Sequence, residues 1–124
     1  GSLCEICSYC IKLISYFVTV SYGLKPTASL CIQINGKRYE TNSSGDGQFD
    51  AFMNALAKIY KAKKMTLPKL IDYAVRIPPG SSSDALCETI ITWTNNEKEF
   101  KTRGLDSDQT VAAIVATQKM LNVV

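Results

Sequence analysis

Residues 13–20 read LISYFVTV and residues 70–77 read LIDYAVRI, so Leu, Ile, Tyr and Val recur in the same order at an offset of 57. Two copies of one unit constrain the fold before any motif is read. The same register carries across the next loop, where Pro26-Thr27-Ala28 matches Ser83-Asp84-Ala85 and each precedes an apolar, strand-like run. With a two-residue shift, Gly45 then falls opposite Gly104, and each opens an amphipathic helix.

Within each copy the hydrophobic period changes in the same order. Residues 12–21 are β-branched and aromatic, Ala28–Ile34 alternates about Gln33, Asn35-Gly36 is a two-residue hairpin signal, and Lys37–Asn42 alternates again. Phe49, Phe52, Met53, Leu56 and Ile59 follow at steps of three and four, the stripe of a helix running to Ala62. In the second copy the expected strands are Leu70–Ile77, Ala85–Thr94 and Glu99–Arg103, with the turn at Asn95-Asn96. Val111, Ile114, Val115 and Leu121 then mark the closing helix.

The resulting organisation is a tag scar and lead-in over residues 1–12, a βββα unit over 13–62, a linker at 63–69 and a second βββα unit over 70–124. Each unit alone leaves an apolar sheet face and a helix stripe uncovered. The expected fold is therefore α+β, with two βββα units related by an internal pseudo-twofold.

Composition narrows the function. The 124 residues carry 14 Lys+Arg against 11 Asp+Glu, a net charge of +3, and no histidine. Histidine is the commonest general base and a common metal ligand, so an independent hydrolase or zinc enzyme is disfavoured. The longest apolar runs, around Ile14–Val20 and Ala112–Ala116, fall short of the ~20 residues a membrane helix needs, and no membrane partner is expected. Gly1-Ser2 reads as the remnant of a cleaved tag on a fragment of a longer protein. Cys4, Cys7 and Cys10 have a spacing seen in iron–sulfur sites, but the only further thiols, Cys31 and Cys87, sit in strand-like stretches. The favoured reading is free thiols in a reducing cytoplasm, with no cofactor. Lys58, Lys61, Lys63, Lys64 and Lys69 gather at a helix end and linker, a solvated cluster rather than a nucleic-acid surface.

The candidate ligand position is Gly45-Asp46-Gly47-Gln48-Phe49-Asp50-Ala51, a glycine-rich turn feeding a helix. Its first amides lack intrahelical partners and could hold a small anion or carboxylate. Alternatively, Asp46 caps the helix and the glycines only shape the turn. In the second copy Ser107 or Asp108 is the expected N-cap.

In this order, and with this repeat, the motifs resemble the C-terminal regulatory domain shared by α-isopropylmalate synthases and citramalate synthases. The resemblance runs from about Leu13 to Asn122 and rests on six features. These are Leu13–Val20, Pro26-Thr27-Ala28, the Gly45-Asp46-Gly47-x-x-Asp50-Ala51 turn, Leu70-x-x-Tyr73-x-Val75, Asp84-Ala85, and Gly104-Leu105-Asp106-Ser107-Asp108. The family's turn usually has proline where this chain has Gln48.

The resemblance implies a homodimeric feedback sensor that binds a branched-chain amino acid and inhibits a catalytic barrel of the same parent chain, with no catalytic residue of its own. Carried over by position, Gly45, Asp46, Gly47, Phe49, Asp50 and Ala51 border the effector pocket. Leu70, Tyr73 and Ile77 supply its apolar wall, beside Cys87, and Ser107, Asp108 and Gln109 meet the effector's polar end. Asp108-Gln109, with Phe49 and Ile77, points to isoleucine and a citramalate synthase, with leucine and an isopropylmalate synthase as the alternative. A ligand-free dimerisation module is the reading from a different class.

Overall fold

The computed structural model describes residues 11–20, 22–77 and 86–123. Cys4, Cys7, Cys10 and the Ser83-Asp84-Ala85 match lie outside the described residues. The elements run β1 (Ile11–Thr19), β2 (Thr27–Ile34), β3 (Lys37–Ser44), α1 (Gln48–Ala62), β4 (Lys69–Arg76), β5 (Cys87–Asn95), β6 (Lys98–Asp106) and α2 (Gln109–Val123). They form two antiparallel sheets, β1-β2-β3 and β4-β5-β6, each followed by its helix. The duplicated βββα architecture is thus as the sequence indicates. The chain divides between Thr66 and Leu67 into two compact units.

In the first unit Ala28, Leu30, Ile32 and Ile34 alternate along β2 and are buried. They face Ala51, Phe52, Ala55, Leu56, Ile59 and Tyr60 of α1, which are buried too. Phe49 and Met53 are only half-buried, so the stripe is rotated from the expected one toward Ala51 and Ala55. Phe52 anchors it, meeting Tyr16 edge-on at 5.9 Å and stacking with Phe49 at 6.4 Å. The lysine cluster has structural work: Lys58 donates to the carbonyl of Asn42 at 2.8 Å, and Lys63 sits 4.3 Å above the Tyr39 ring.

Tyr60 packs its ring into this core, and its hydroxyl has no hydrogen-bond partner among the described residues. Desolvation by burial pushes its pKa well above the ordinary value. Because the folded state holds this proton more tightly, stability is unaffected below the unfolded pKa of about 10 and falls as pH rises beyond it. Tyr60→Phe should therefore be neutral or stabilising at pH 7 and should flatten the alkaline limb of a stability-versus-pH curve. An unchanged alkaline limb would assign that limb to other groups.

In the second unit the buried face is built differently. Trp93 is fully buried, and its indole N–H donates to Thr102 Oγ1 at 2.8 Å. The α2 residues set against the sheet are Ala112, Ala113, Ala116 and Thr117, with Ile114, Met120 and Leu121. Val111 and Val115, expected on the stripe, are half-buried. The cause is Gly104, which lies inside β6 opposite Thr89 and does not open a helix. A Cβ there would come within 2.8 Å of the Ala116 amide nitrogen, so α2 rides directly on the strand. Only small side chains fit at that distance.

The repeat is real, but its register shifts. Strands β1 and β4 bulge at equivalent residues, Ile14 and Ile71, which preserves the offset of 57. The hairpins turn at Asn35-Gly36 and at Asn96-Glu97, 61 residues apart, so the β4–β5 connection is four residues longer than β1–β2. The second turn thus falls one residue beyond Asn95-Asn96. Both central residues of each turn have positive φ: 51° and 88° at Asn35 and Gly36, 52° and 66° at Asn96 and Glu97. This is the mirror-image turn that suits the twist of a two-residue hairpin. With the corrected offset Gly45 is equivalent to Asp106 rather than Gly104, and Gly47 to Asp108.

On the open face of the second sheet, the carboxylate of Glu88 is buried between Arg76 and Arg103. The two guanidiniums are mostly exposed, so the cluster neutralises a buried charge and adds little beyond that to stability.

Candidate functional site

The glycine turn lies where β3 hands over to α1. The Gly45 N–H donates to the Pro26 carbonyl at 3.1 Å, and Asn54 donates to the Ser44 carbonyl at 3.0 Å, tying the turn to its own sheet and helix. A Cβ on Gly45 would lie 2.6 Å from the Ala51 nitrogen. Glycine is therefore required at 45 by close packing.

Gly47 is the N-cap of α1, and packing does not require glycine there. Its φ of −134° and ψ of 172° suit any residue, a Cβ would meet nothing within 4 Å, and no side chain caps the helix. Asp46 does not cap it. Its carboxylate pairs with Lys25 at 3.5 Å in solvent, while its N–H donates to Asp50 Oδ2 at 3.0 Å. The start of α1 thus has no side-chain cap at Gly47, and the Asp50 carboxylate in its first turn faces the positive end of the helix dipole.

The equivalent position of the second unit is filled. Asp108 Oδ1 accepts from the N–H groups of Thr110 at 2.8 Å and Val111 at 3.1 Å, and Asp106 Oδ2 accepts from the Asp108 N–H at 2.8 Å. Of the two expected N-caps, Asp108 is the one used. Its carboxylate is committed to its own helix.

The remaining candidates also belong to the second unit. Leu70, Tyr73 and Val75 pair with Trp93, Ile91 and Thr89 and so share the helix-facing side of the sheet. The bulge at Ile71 places Leu70 on that side, which simple alternation from Tyr73 would not do. Because α2 lies over β5 and β6, Leu70 and Val75 stay exposed. Ile77 lies just beyond β4 and is exposed, Cys87 is half-buried with its Sγ 4.0 Å from the Ser107 carbonyl, and Ser107 and Gln109 are exposed. In the first unit Gly45, Asp46 and Gly47 form the turn before α1, and Phe49, Asp50 and Ala51 lie in the first turns of that helix. Lys25, which reaches that turn, carries no signal in the sequence.

Among the described residues no group of three or more His, Cys, Asp or Glu side chains could hold a metal ion. Among the described residues no helix is long and apolar enough to cross a membrane.

The molecule is thus a duplicated βββα fold with one helix start capped by its own aspartate and the other by glycine. Residues 8–124 match the family described as the LeuA allosteric (dimerisation) domain, and the chain belongs to that family. It is 29% identical over 119 residues to a protein of Methanosphaerula palustris named as an (R)-citramalate synthase, covering 95% of this chain and 23% of the relative. To a 2-isopropylmalate synthase of Aquifex aeolicus it is 27% identical over 113 residues, 90% of this chain and 21% of the relative. The chain thus spans less than a quarter of the curated relatives it matches.

Proposed function

We propose that this chain is the feedback sensor of a citramalate synthase in the cytoplasm and binds isoleucine, with leucine and an isopropylmalate synthase as the alternative. Gly47 carries the reading. The N-cap tolerates a side chain yet has none, and no side chain caps this helix, which supports an effector carboxylate at this position. Its counterpart, Asp108, supplies that carboxylate from within the chain. Covering the branched side chain of such an effector is worth about 2–3 kcal/mol. Isoleucine and leucine differ by one methyl position, a discrimination of about 1–3 kcal/mol set by pocket shape. The sensor works as a homodimer, and its effect on the catalytic barrel of the parent chain is a coupling free energy of about 1–3 kcal/mol. No catalytic residue is assigned to the chain itself.

Gly47→Asp tests the site. The aspartate reproduces the Asp108 arrangement, so stability should hold or rise by a few tenths of a kcal/mol, while isoleucine binding measured by calorimetry falls at least about tenfold. Unaltered affinity in this variant would remove the carboxylate from the start of α1. In the unsubstituted chain, an effector at about one hundred times its Kd should stabilise by about 2.7 kcal/mol. If neither amino acid raises the melting temperature, the dimerisation module remains. Tighter leucine binding in the same titration selects the alternative parent.

A further inference from the structure

We propose that the open face of the first sheet, opposite α1, is a separate ligand site for a primary ammonium carried on a hydrocarbon body. A concavity of about 640 Å³ lies there, within the size range of small-molecule pockets. The strand register aligns its side chains in two rows, Ser15–Cys31–Glu40 and Phe17–Ser29–Asn42. Cys31 forms the floor at 6% exposure, and its free thiol has no hydrogen-bond partner among the described residues. The side chains of Ser15, Ser29, Glu40 and Asn42 are likewise not engaged by any described group. Phe17 stands 66% exposed at the far corner.

The chemistry of this set is that of a cation host. One carboxylate, two hydroxyls and a carboxamide supply acceptors, and an exposed ring offers its face and edge to an ammonium or to methylenes. The next row, Lys12–Gln33–Arg38, lies about 7 Å from Glu40 along the strands. Its two cations exclude a second positive group from that end, so the ligand runs from Glu40 across Cys31 toward Phe17. That diagonal is about 12 Å between backbones, room for a chain of about six carbons.

The second repeat serves as an internal control. Its equivalent rows are Asp72–Thr92–Lys101 and Ala74–Ile90–Arg103, with lysine in place of Glu40 and alanine in place of Phe17. The fold therefore does not require the first set, and on the second sheet Lys101 and Arg103 stand where Glu40 and Asn42 stand on the first.

The probe is n-hexylammonium, titrated into the isotope-labelled chain and followed by amide chemical shifts. Saturable shifts at Cys31, Glu40 and Asn42 are expected, with hexanol and hexanoate at least about tenfold weaker. Glu40→Gln should weaken hexylammonium at least about tenfold and Phe17→Ser several-fold. Both residues are exposed, so the rest of each spectrum should stay unchanged. Gly47→Asp should leave hexylammonium binding intact, which separates this site from the effector site. No saturable shift, an equal response to hexanol, full affinity in Glu40→Gln, or lost affinity in Gly47→Asp would each overturn the proposal.

Discussion

Alanine at position 104 is expected to destabilise the protein by about 3 kcal/mol or more, a large effect for one methyl group. The added carbon would sit 2.8 Å from the Ala116 nitrogen and 2.9 Å from the Ala112 carbonyl carbon, and closer still to that carbonyl's oxygen. These are backbone atoms of a helix, so no side chain can rotate away. Helix α2 must lift from β6, and Ile114, Met120 and Leu121 then lose part of their burial. Urea unfolding should show a lower midpoint at unchanged slope. A midpoint equal to that of the parent chain would mean that α2 does not rest on Gly104.

Removing the Trp93 side chain should cost about 3–5 kcal/mol, comparable to the whole stability of a marginal domain. Trp93 is fully buried, is flanked by Leu70 on β4 and Phe100 on β6, and hydrogen-bonds Thr102 at 2.8 Å. Trp93→Ala leaves a cavity and an unpartnered threonine hydroxyl. Trp93→Phe retains most of the apolar volume and should cost less. The pair separates packing from polarity: if Phe is as damaging as Ala, the indole N–H bond, rather than ring volume, holds the site. Calorimetry and near-ultraviolet circular dichroism read both variants.

The element order was legible because each local signal agreed with its neighbours. Asn35-Gly36 fixed one hairpin, the paired LISYFVTV and LIDYAVRI runs exposed the duplication, and Phe52, Leu56 and Ile59 marked α1. Register was not legible across the loops. A bulge adds a residue without changing composition, so nothing in Leu70-Ile71-Asp72 announces that Leu70 joins Tyr73 on one face. Gly104 looked like a helix opener because glycine serves both tight turns and close strand-to-helix contacts, and only three-dimensional proximity tells them apart. The same ambiguity hid the small-residue face of α2. At the candidate site the contiguous turn was readable. That Gly45 is required by packing while Gly47 is not could be learned only from what a Cβ would touch.

Among the described residues every strand hydrogen-bonds only to its immediate neighbours in the sequence, and each helix covers the sheet that precedes it. Loop closures are therefore short, which places each half at the rapid end of α/β folding. An emerging chain can complete the first half while the second is still being synthesised. Partly made polypeptide then spends little time with the apolar face of its sheet uncovered, a form in which chains stick to one another.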